Sequence, residues 1–484
     1  MFSRPSTTLN KAVPLTYVLL LIFACLCLLY LEGIYHPVSV LLTGINGKGV
    51  AEYHSQNDTN SPVDVPQAHD DQHLDLGGSD FGSNLPDGDD NEFDPGPGHR
   101  QVYSLTTPDR KFFPVQFGDK QAYNPNILPD PRSQDQWIVI AQQRRFREVY
   151  DWDLYELTCA VEFVDNALVC TAPPTILPVQ PAVRGDCEPD RLAMFELLQG
   201  PHDARMFYGP DVPYIMYGSQ SNHGCMGLWI QDARMLISNF QPGYSDSTQP
   251  FYNATEVGRP PPQHDVEKNF FLFWDAQGES YAHAELHVER VFGQLSMSDG
   301  TVGLDLARQI ASKDNLCLTR YLPKIEPGAP ESIHQATNSL TITLCKRTDD
   351  GCVPTNDNTF IMTIVHHKTY YNFHSLYEPY VVLFRRAAPF ALYAISTKPI
   401  WIHGRAQLTR DTHAGFYEGR PDDIPQNHTE MFYVTSMSWK SHDQRYHGFI
   451  DDPLFLAFGI EDTRSGAIDI LGGDLLQDLG LCTP

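Results

Sequence analysis

The sequence predicts an all-β fold, a five-bladed β-propeller over residues 101–484, carried behind one N-terminal transmembrane helix. Three observations predict it. Short apolar or alternating runs closed by turn residues recur from Gln101 onward. Helical periodicity is scarce over the same region. One charge-free stretch of 20 residues, Ala12–Leu31, lies near the N-terminus.

That stretch reads AVPLTYVLLLIFACLCLLYL. At a rise of about 1.5 Å per residue, about 20 apolar residues cover a hydrocarbon core of roughly 30 Å. Arg4 and Lys11 precede it and Glu32 follows. The positive-inside rule then keeps the N-terminus cytosolic and sends the C-terminus across. A cleaved signal peptide would have a shorter apolar core and small residues at its cleavage site, which Leu31-Glu32-Gly33-Ile34-Tyr35 does not supply. The expected layout is a cytosolic tail (1–11), a membrane span (12–31), an acidic stalk (32–100) and a luminal body (101–484). A membrane partner is therefore expected at the anchor, in a type II protein of the Golgi or another secretory compartment.

The formal net charge of −26 argues against a nucleic-acid partner, which requires a basic surface. Twelve Asp and Glu fall between Gly47 and Arg100, against Lys48 and Arg100. Few apolar residues accompany them, so this segment buries too little to offset its ordering entropy and reads as a spacer.

In the body the runs include Trp137–Ala141, Tyr214–Tyr217, Leu228–Ile230, Phe270–Trp274, Leu340–Leu344, Phe360–Val365, Tyr380–Phe384, Phe390–Ile395, Met431–Met437 and Leu454–Phe458. Their β-branched and aromatic content suits a pleated surface, and Pro, Gly, Asp and Asn punctuate them. A pattern of strand, polar turn and strand recurs near Trp137, Tyr214, Phe271, Phe360 with Val381, and Phe455. Five such clusters fit five blades. Asp190–Leu198 and Leu304–Ser312 are the best helical candidates.

Eight cysteines lie outside the anchor, an even number that invites disulfides in an oxidising compartment. Cys159 with Cys170 and Cys345 with Cys352 are close enough to close local hairpins. Asn57, Asn253 and Asn427 begin Asn-x-Thr glycosylation patterns. There is no Cys-x-x-Cys pair, and neither metal nor other cofactor is implied.

Polar groups sit directly beside apolar strands in four places. These are Tyr123-Asn124-Pro125-Asn126; His202-Asp203-Ala204-Arg205; Glu267-Lys268-Asn269; and His447-Gly448-Phe449-Ile450-Asp451-Asp452, whose strand is followed by Glu461-Asp462. Charges are costly to bury unless paired, so each cluster is either a structural ion pair, a solvated turn or a site. Equivalent places in successive blades face one channel. A ring of carboxylates, cations and amides there suits sugar chemistry. His366-His367 reads as structural, since adjacent strand residues point to opposite faces.

The ordered set of clusters resembles the five-bladed β-propeller carbohydrate-active enzymes, in particular the β-mannoside phosphorylases and β-1,2-mannosyltransferases. Gly200-Pro201-His202-Asp203-Ala204-Arg205-Met206-Phe207 is similar to their Glu-Asp-Pro-Arg segment. Glu267-Lys268-Asn269-Phe270-Phe271-Leu272-Phe273 resembles their Lys-Asp/Asn-Trp-x-Leu-Phe segment, and Phe458-Gly459-Ile460-Glu461-Asp462 their Tyr-Gly-Ala-Ala-Asp segment. His202 and Ala204 depart from the first pattern. The chain also resembles type II membrane proteins of filamentous fungi.

The resemblance implies Asp203 as the acid/base carboxylate, with Asp452 and Glu461 as further catalytic candidates. Asn124, Arg205, Glu267, Lys268, Asn269, His447 and Asp451 would bind substrate, a glycan or a sugar nucleotide. The expected activity is a β-mannosyl-type glycosyltransferase. A hydrolase or phosphorylase of the same fold, and a non-catalytic glycan-binding propeller, are the alternatives. The enzyme reading requires Asn124, Asp203, Lys268 and Asp452 to converge. An α/β nucleotide-sugar transferase using Asp151-Trp152-Asp153 would instead need strand–helix alternation, which the body lacks.

Overall fold

The computed structural model describes residues 73–74, 93, 95–148, 151–179, 187, 198–241, 249–371, 374–408 and 428–482. All of them fall in one compact unit, Thr59–Pro484. The expected anchor, Asn57 and Asn427 lie outside the described residues. No helix among the described residues is long and apolar enough to cross a membrane.

The body is all-β and propeller-like. Five antiparallel meanders follow one another along the chain. The first runs Tyr123–Pro129, Trp137–Glu148, Asp151–Val164 and Ala167–Cys170, each strand pairing with the next. The second runs His202–Tyr208, Pro213–Gln220, Met226–Asp232 and Thr255–Val257. Phe271–Trp274, Ser280–Glu285 and Val291–Gln294 make the third. In the fourth, Glu331–Gln335 and Leu340–Thr343 share the long strand Thr359–Tyr371, followed by His374–Arg385 and Leu392–Ser396. The fifth runs Phe432–Trp439, Pro453–Ile460 and Arg464–Leu471. The five strand clusters expected from sequence fall one in each sheet.

Phe113–Gln116 then stitches the ring. It pairs antiparallel with Arg464–Leu471 of the fifth sheet and parallel with Ala167–Cys170 of the first. His447–Phe449 likewise joins the fifth sheet to Leu340–Thr343 of the fourth. These links join the first, fourth and fifth meanders, while the second and third remain separate sheets, in a nearly closed arrangement.

The core explains why the strands read as continuous apolar runs. Successive side chains point to opposite faces. Along Pro453–Ile460, Phe455 and Ala457 pack with Phe113 and Val139 between the fifth and first sheets, while Leu454, Leu456 and Phe458 enter a different layer. Ile215 and Tyr217 pack toward the first sheet, Tyr214 and Met216 the other way. Ile361 and Val365 meet Phe271 and Phe273 of the third sheet. A strand buried on both faces needs apolar residues at every position, which removes the alternation of a half-exposed sheet.

The described α-helix, Ala311–Tyr321, begins later than the sequence pattern predicts. Leu304–Ser312 holds a 3-10 turn, Ala307–Gln309, and only the start of the helix. Asp305 accepts from the Ala307 N–H at 3.0 Å and sets this turn. The helix buries only Asp314, Cys317 and Leu318, too few apolar groups to show a period. All eight body cysteines pair: Cys159–Cys170, Cys187–Cys225, Cys317–Cys482 and Cys345–Cys352. The two local closures match expectation, and Cys317–Cys482 ties the helix to the C-terminal end.

Candidate active site

The inner strand of the first sheet carries Asn124 and that of the second carries Asp203. Both have left-handed backbone, with φ of 56° and 47°, and both sit where the strand register slips. Such bulges re-aim a side chain out of the ladder. Asn269, just before the third sheet, has φ 64°. Asn and Asp tolerate this conformation better than other L-residues, yet it still costs on the order of 1 kcal/mol or more. Three such residues beside three inner strands mark one strained zone.

The strain is held by specific bonds. Asn124 Nδ2 donates to Asp203 Oδ1 at 3.0 Å, and the Asp203 N–H donates to Gln142 Oε1 at 2.9 Å. Arg205 does not pair with the Asp203 carboxylate. Its Nη1 donates to the Asp203 carbonyl at 2.7 Å and its Nε to the Ala336 carbonyl at 2.9 Å, tying the second sheet to the fourth. Arg205 is therefore largely buried, and the Asp203 side chain is left exposed. Gly459 permits the approach: a Cβ there would stand 2.1 Å from Asn124 Oδ1.

Asp203, Arg205, Lys268 and Asn269 line one crevice, with His202 and Met216 beside them. It encloses about 370 Å³, its open mouth included. Asp462, on the hairpin after Pro453–Ile460, is the second carboxylate of this zone. Burial pushes its pKa up to about 6, the charge of Asp203 adds to the rise, and Arg144 opposes it. Lys268 is open to solvent, yet the protein around it lowers its amine below the ordinary value. Lys368 is lowered by burial and then by the Lys268 charge. Arg144 donates to the Tyr123 hydroxyl at 3.2 Å. Tyr433, pushed up to about 12 by burial, feels Arg205, Asp203 and Asp462; Tyr377, also raised chiefly by burial, feels both carboxylates as well.

Behind Asp203 lies Glu156, 1% exposed, whose Oε1 accepts from the Ala204 N–H at 3.3 Å. Burial raises its pKa to about 8, and Asp203 adds to the rise. The buried site thus favours its uncharged form.

Asn124, Asp203, Arg205, Lys268 and Asn269 thus come together as expected from sequence. Glu267 stands at the rim, held by Arg259 at 3.4 Å and by the His264 N–H at 2.8 Å; burial lifts it to about 7. Glu461 is 5% exposed and accepts from the Met431 N–H and His374. Asp452 does not join the group. It is bound by Arg347 at 2.6 Å, by the Phe449 N–H at 2.7 Å and by Gln444. Asp451 accepts from the Arg347 N–H at 2.7 Å, and His447 pairs with Thr343 at 2.8 Å. Asp452 precedes Pro453–Ile460 and Asp462 follows it. Eight strand residues span about 25 Å. The two ends cannot serve one sugar ring. Of the four residues required to converge, Asp203 and Lys268 line the crevice, Asn124 joins them only through its bond to Asp203, and Asp452 stands apart, so the required convergence of all four does not hold.

Sequence reasoning missed Arg144, Lys368, Tyr377 and Tyr433 as neighbours of the carboxylates. Asp462 was visible only inside the Gly-Ile-Glu-Asp segment. Asn253 is exposed, as a glycan acceptor requires.

The sequence matches no family model and no curated protein. Among solved structures, a β-1,2-mannobiose phosphorylase from Listeria innocua is 11% identical, over 80% of this chain and 98% of its own, with a TM-score of 0.39. A GDP-Man-dependent mannosyltransferase from Leishmania mexicana is 11% identical, over 74% and 89%, with a TM-score of 0.37. A thermostable family-43 glycoside hydrolase is 7% identical, over 77% and 96%, at 0.34. Scores this low carry no argument about chemistry, which rests on the residues.

Proposed function

We propose that this chain is a glycan-modifying enzyme of the secretory pathway, a glycosyltransferase of β-mannosyl type, with Asp203 as its acid/base. The observation that carries it is the exposed Asp203 carboxylate, held by Asn124 in strained backbone and facing a crevice it shares with Arg205 and Lys268, with the Asp462 carboxylate close enough for the two charges to interact. The motif resemblance of Asp203, Lys268 and Asp462 supports the same reading.

The chemistry follows from placement. An acceptor hydroxyl attacks the anomeric carbon of the donor, forming the new C–O bond. The C–O bond to the donor phosphate breaks and its electron pair leaves with the phosphate. Asp203 takes the hydroxyl proton, a step worth roughly 10²–10⁴-fold when well placed. Lys268, Lys368 and Arg144 stabilise the leaving phosphate charge. Asp462 accepts hydrogen bonds from donor hydroxyls. The same cations favour a second reading, a phosphorylase in which inorganic phosphate attacks the glycosidic bond. Four disulfides agree with an oxidising lumen, and the anchor 12–31 would hold the body there as a type II membrane protein.

The test is turnover of wild type and Asp203→Asn on a panel of sugar nucleotides, sugar phosphates and mannosides with acceptors. Transferase activity releases a nucleotide product; phosphorolysis consumes inorganic phosphate. Loss of turnover in Asp203→Asn with glycan binding retained supports the assignment. A wild type that binds glycans and turns over none of the panel would sink it in favour of a lectin.

A further inference from the structure

Glu461 and Asp462 occupy the two central positions of the turn between Pro453–Ile460 and Arg464–Leu471. Their φ values are 54° and 48°, and the Thr463 N–H donates back to the Ile460 carbonyl at 3.1 Å. Two left-handed centres define a type I′ turn, where Asn-Gly is the low-cost pair. Here both centres carry a longer acidic side chain. A conformation of this cost persists only where its surroundings over-determine it.

The surroundings act on Glu461. Its N–H donates to the Met431 carbonyl at 3.1 Å, and its Oε1 accepts from the Met431 N–H at 2.6 Å. The same oxygen lies 3.1 Å from His374 Nε2. His374, 2% exposed, contacts His428 at 3.3 Å through its other ring nitrogen. Glu461 is thus pinned by backbone and side chain to Met431 and by side chain to His374, while the hairpin it closes packs Gly459 against Asn124, the partner of Asp203, and brings Asp462 near Asp203. The groups acting on Asp462 are Asp203, Arg144, Lys368 and Glu461 itself, and Asp462 acts in turn on Tyr123, Tyr377 and Tyr433.

We propose that Glu461 is a positioning residue: its bonds to Met431 and His374 hold the strained turn and thereby keep Asp462 beside Asp203. The role rests on the reading of Asp462 as part of the site.

The experiment needs no turnover. The unfolding stability of the full chain and of Asp462→Asn is compared from pH 4 to 8, which traces the native titration of Asp462. The comparison is repeated in Glu461→Gln and Glu461→Ala. Gln keeps an oxygen for the Met431 N–H but removes a negative neighbour, so the midpoint falls by roughly half a unit or more. In Glu461→Ala the turn is released, and the midpoint falls further, toward that of a solvated Asp. A midpoint in Glu461→Ala no lower than in Glu461→Gln overturns the proposal. Should Glu461→Ala not fold, Glu461→Asp decides: it keeps the charge but shortens the reach to Met431 and His374, and an unchanged midpoint there overturns the proposal. Where turnover is measured, Glu461→Ala loses about tenfold or more in kcat with KM little changed, and Glu461→Gln restores most of it. Absent wild-type turnover defeats the enzyme reading while the titration still judges the positioning.

Discussion

Asp451-Asp452 and Glu461-Asp462 bracket one strand, Pro453–Ile460, and the fold treats them differently. At the first end every oxygen of Asp452 has a partner: Arg347 Nε and Nη2, Gln444 and the Phe449 N–H. That carboxylate closes a turn and ties the Cys345–Cys352 loop to the fifth sheet. At the other end, two acidic residues accept backbone strain so that one is locked and the other faces Asp203. The lesson is that satisfied carboxylates stabilise, whereas a carboxylate kept short of partners in a strained, concave place is available for chemistry.

The contrast predicts a graded set of outcomes. The largest effect is expected from Asp203→Asn, with turnover falling roughly 10²–10⁴-fold while the melting temperature stays near wild type. Asp452→Ala should invert this pattern: activity per folded molecule is retained, and denaturant unfolding shows a loss of about 2–3 kcal/mol from the broken buried network. Equal effects of the two substitutions on turnover would erase the distinction between the ends.

Lys268→Met is expected next, raising KM for a phosphate-bearing substrate about tenfold; Arg347→Met, at the other end, should leave KM alone. A smaller effect concerns Glu156. Its folded pKa of about 8 lies above its unfolded value near 4.5, so the native state binds the extra proton. The stability this contributes is full below pH 4.5 and is lost as pH rises toward 8, by about 1.4 kcal/mol per pH unit at most. Glu156→Gln should flatten that slope in pH-dependent unfolding. His447 should matter least. Burial, then Arg386 and Arg347, holds its pKa down to about 4, so His447→Gln leaves a pH–rate profile between 5 and 8 unchanged.

Much of the architecture was legible in the chain. The ten apolar runs fall in or beside the observed strands, because a strand buried on both faces announces itself by continuous β-branched and aromatic residues. Asn124, Asp203 and Lys268 were legible because their polarity interrupts those runs. Two close disulfides were legible from spacing, whereas Cys187–Cys225 and Cys317–Cys482 depend on how distant segments meet. Arg144 and Lys368 escaped notice because each sits in a long strand whose neighbours are also polar, Gln142-Gln143-Arg144-Arg145 and His366-His367-Lys368-Thr369. Polarity there is no anomaly, and only their approach to Asp462 in the folded chain distinguishes these residues.

The sequence by itself determined the strand content, the five-fold recurrence and the acidic, strongly charged clusters, since these follow from local residue chemistry. Which carboxylates come close to Asp203 was decided by the tertiary structure alone. Asp452 and Asp462 are ten positions apart and chemically identical. A strand of eight residues places them about 25 Å apart, and closure of the sheets around the inner strands, with Gly459 against Asn124, delivers only one of those ends to Asp203.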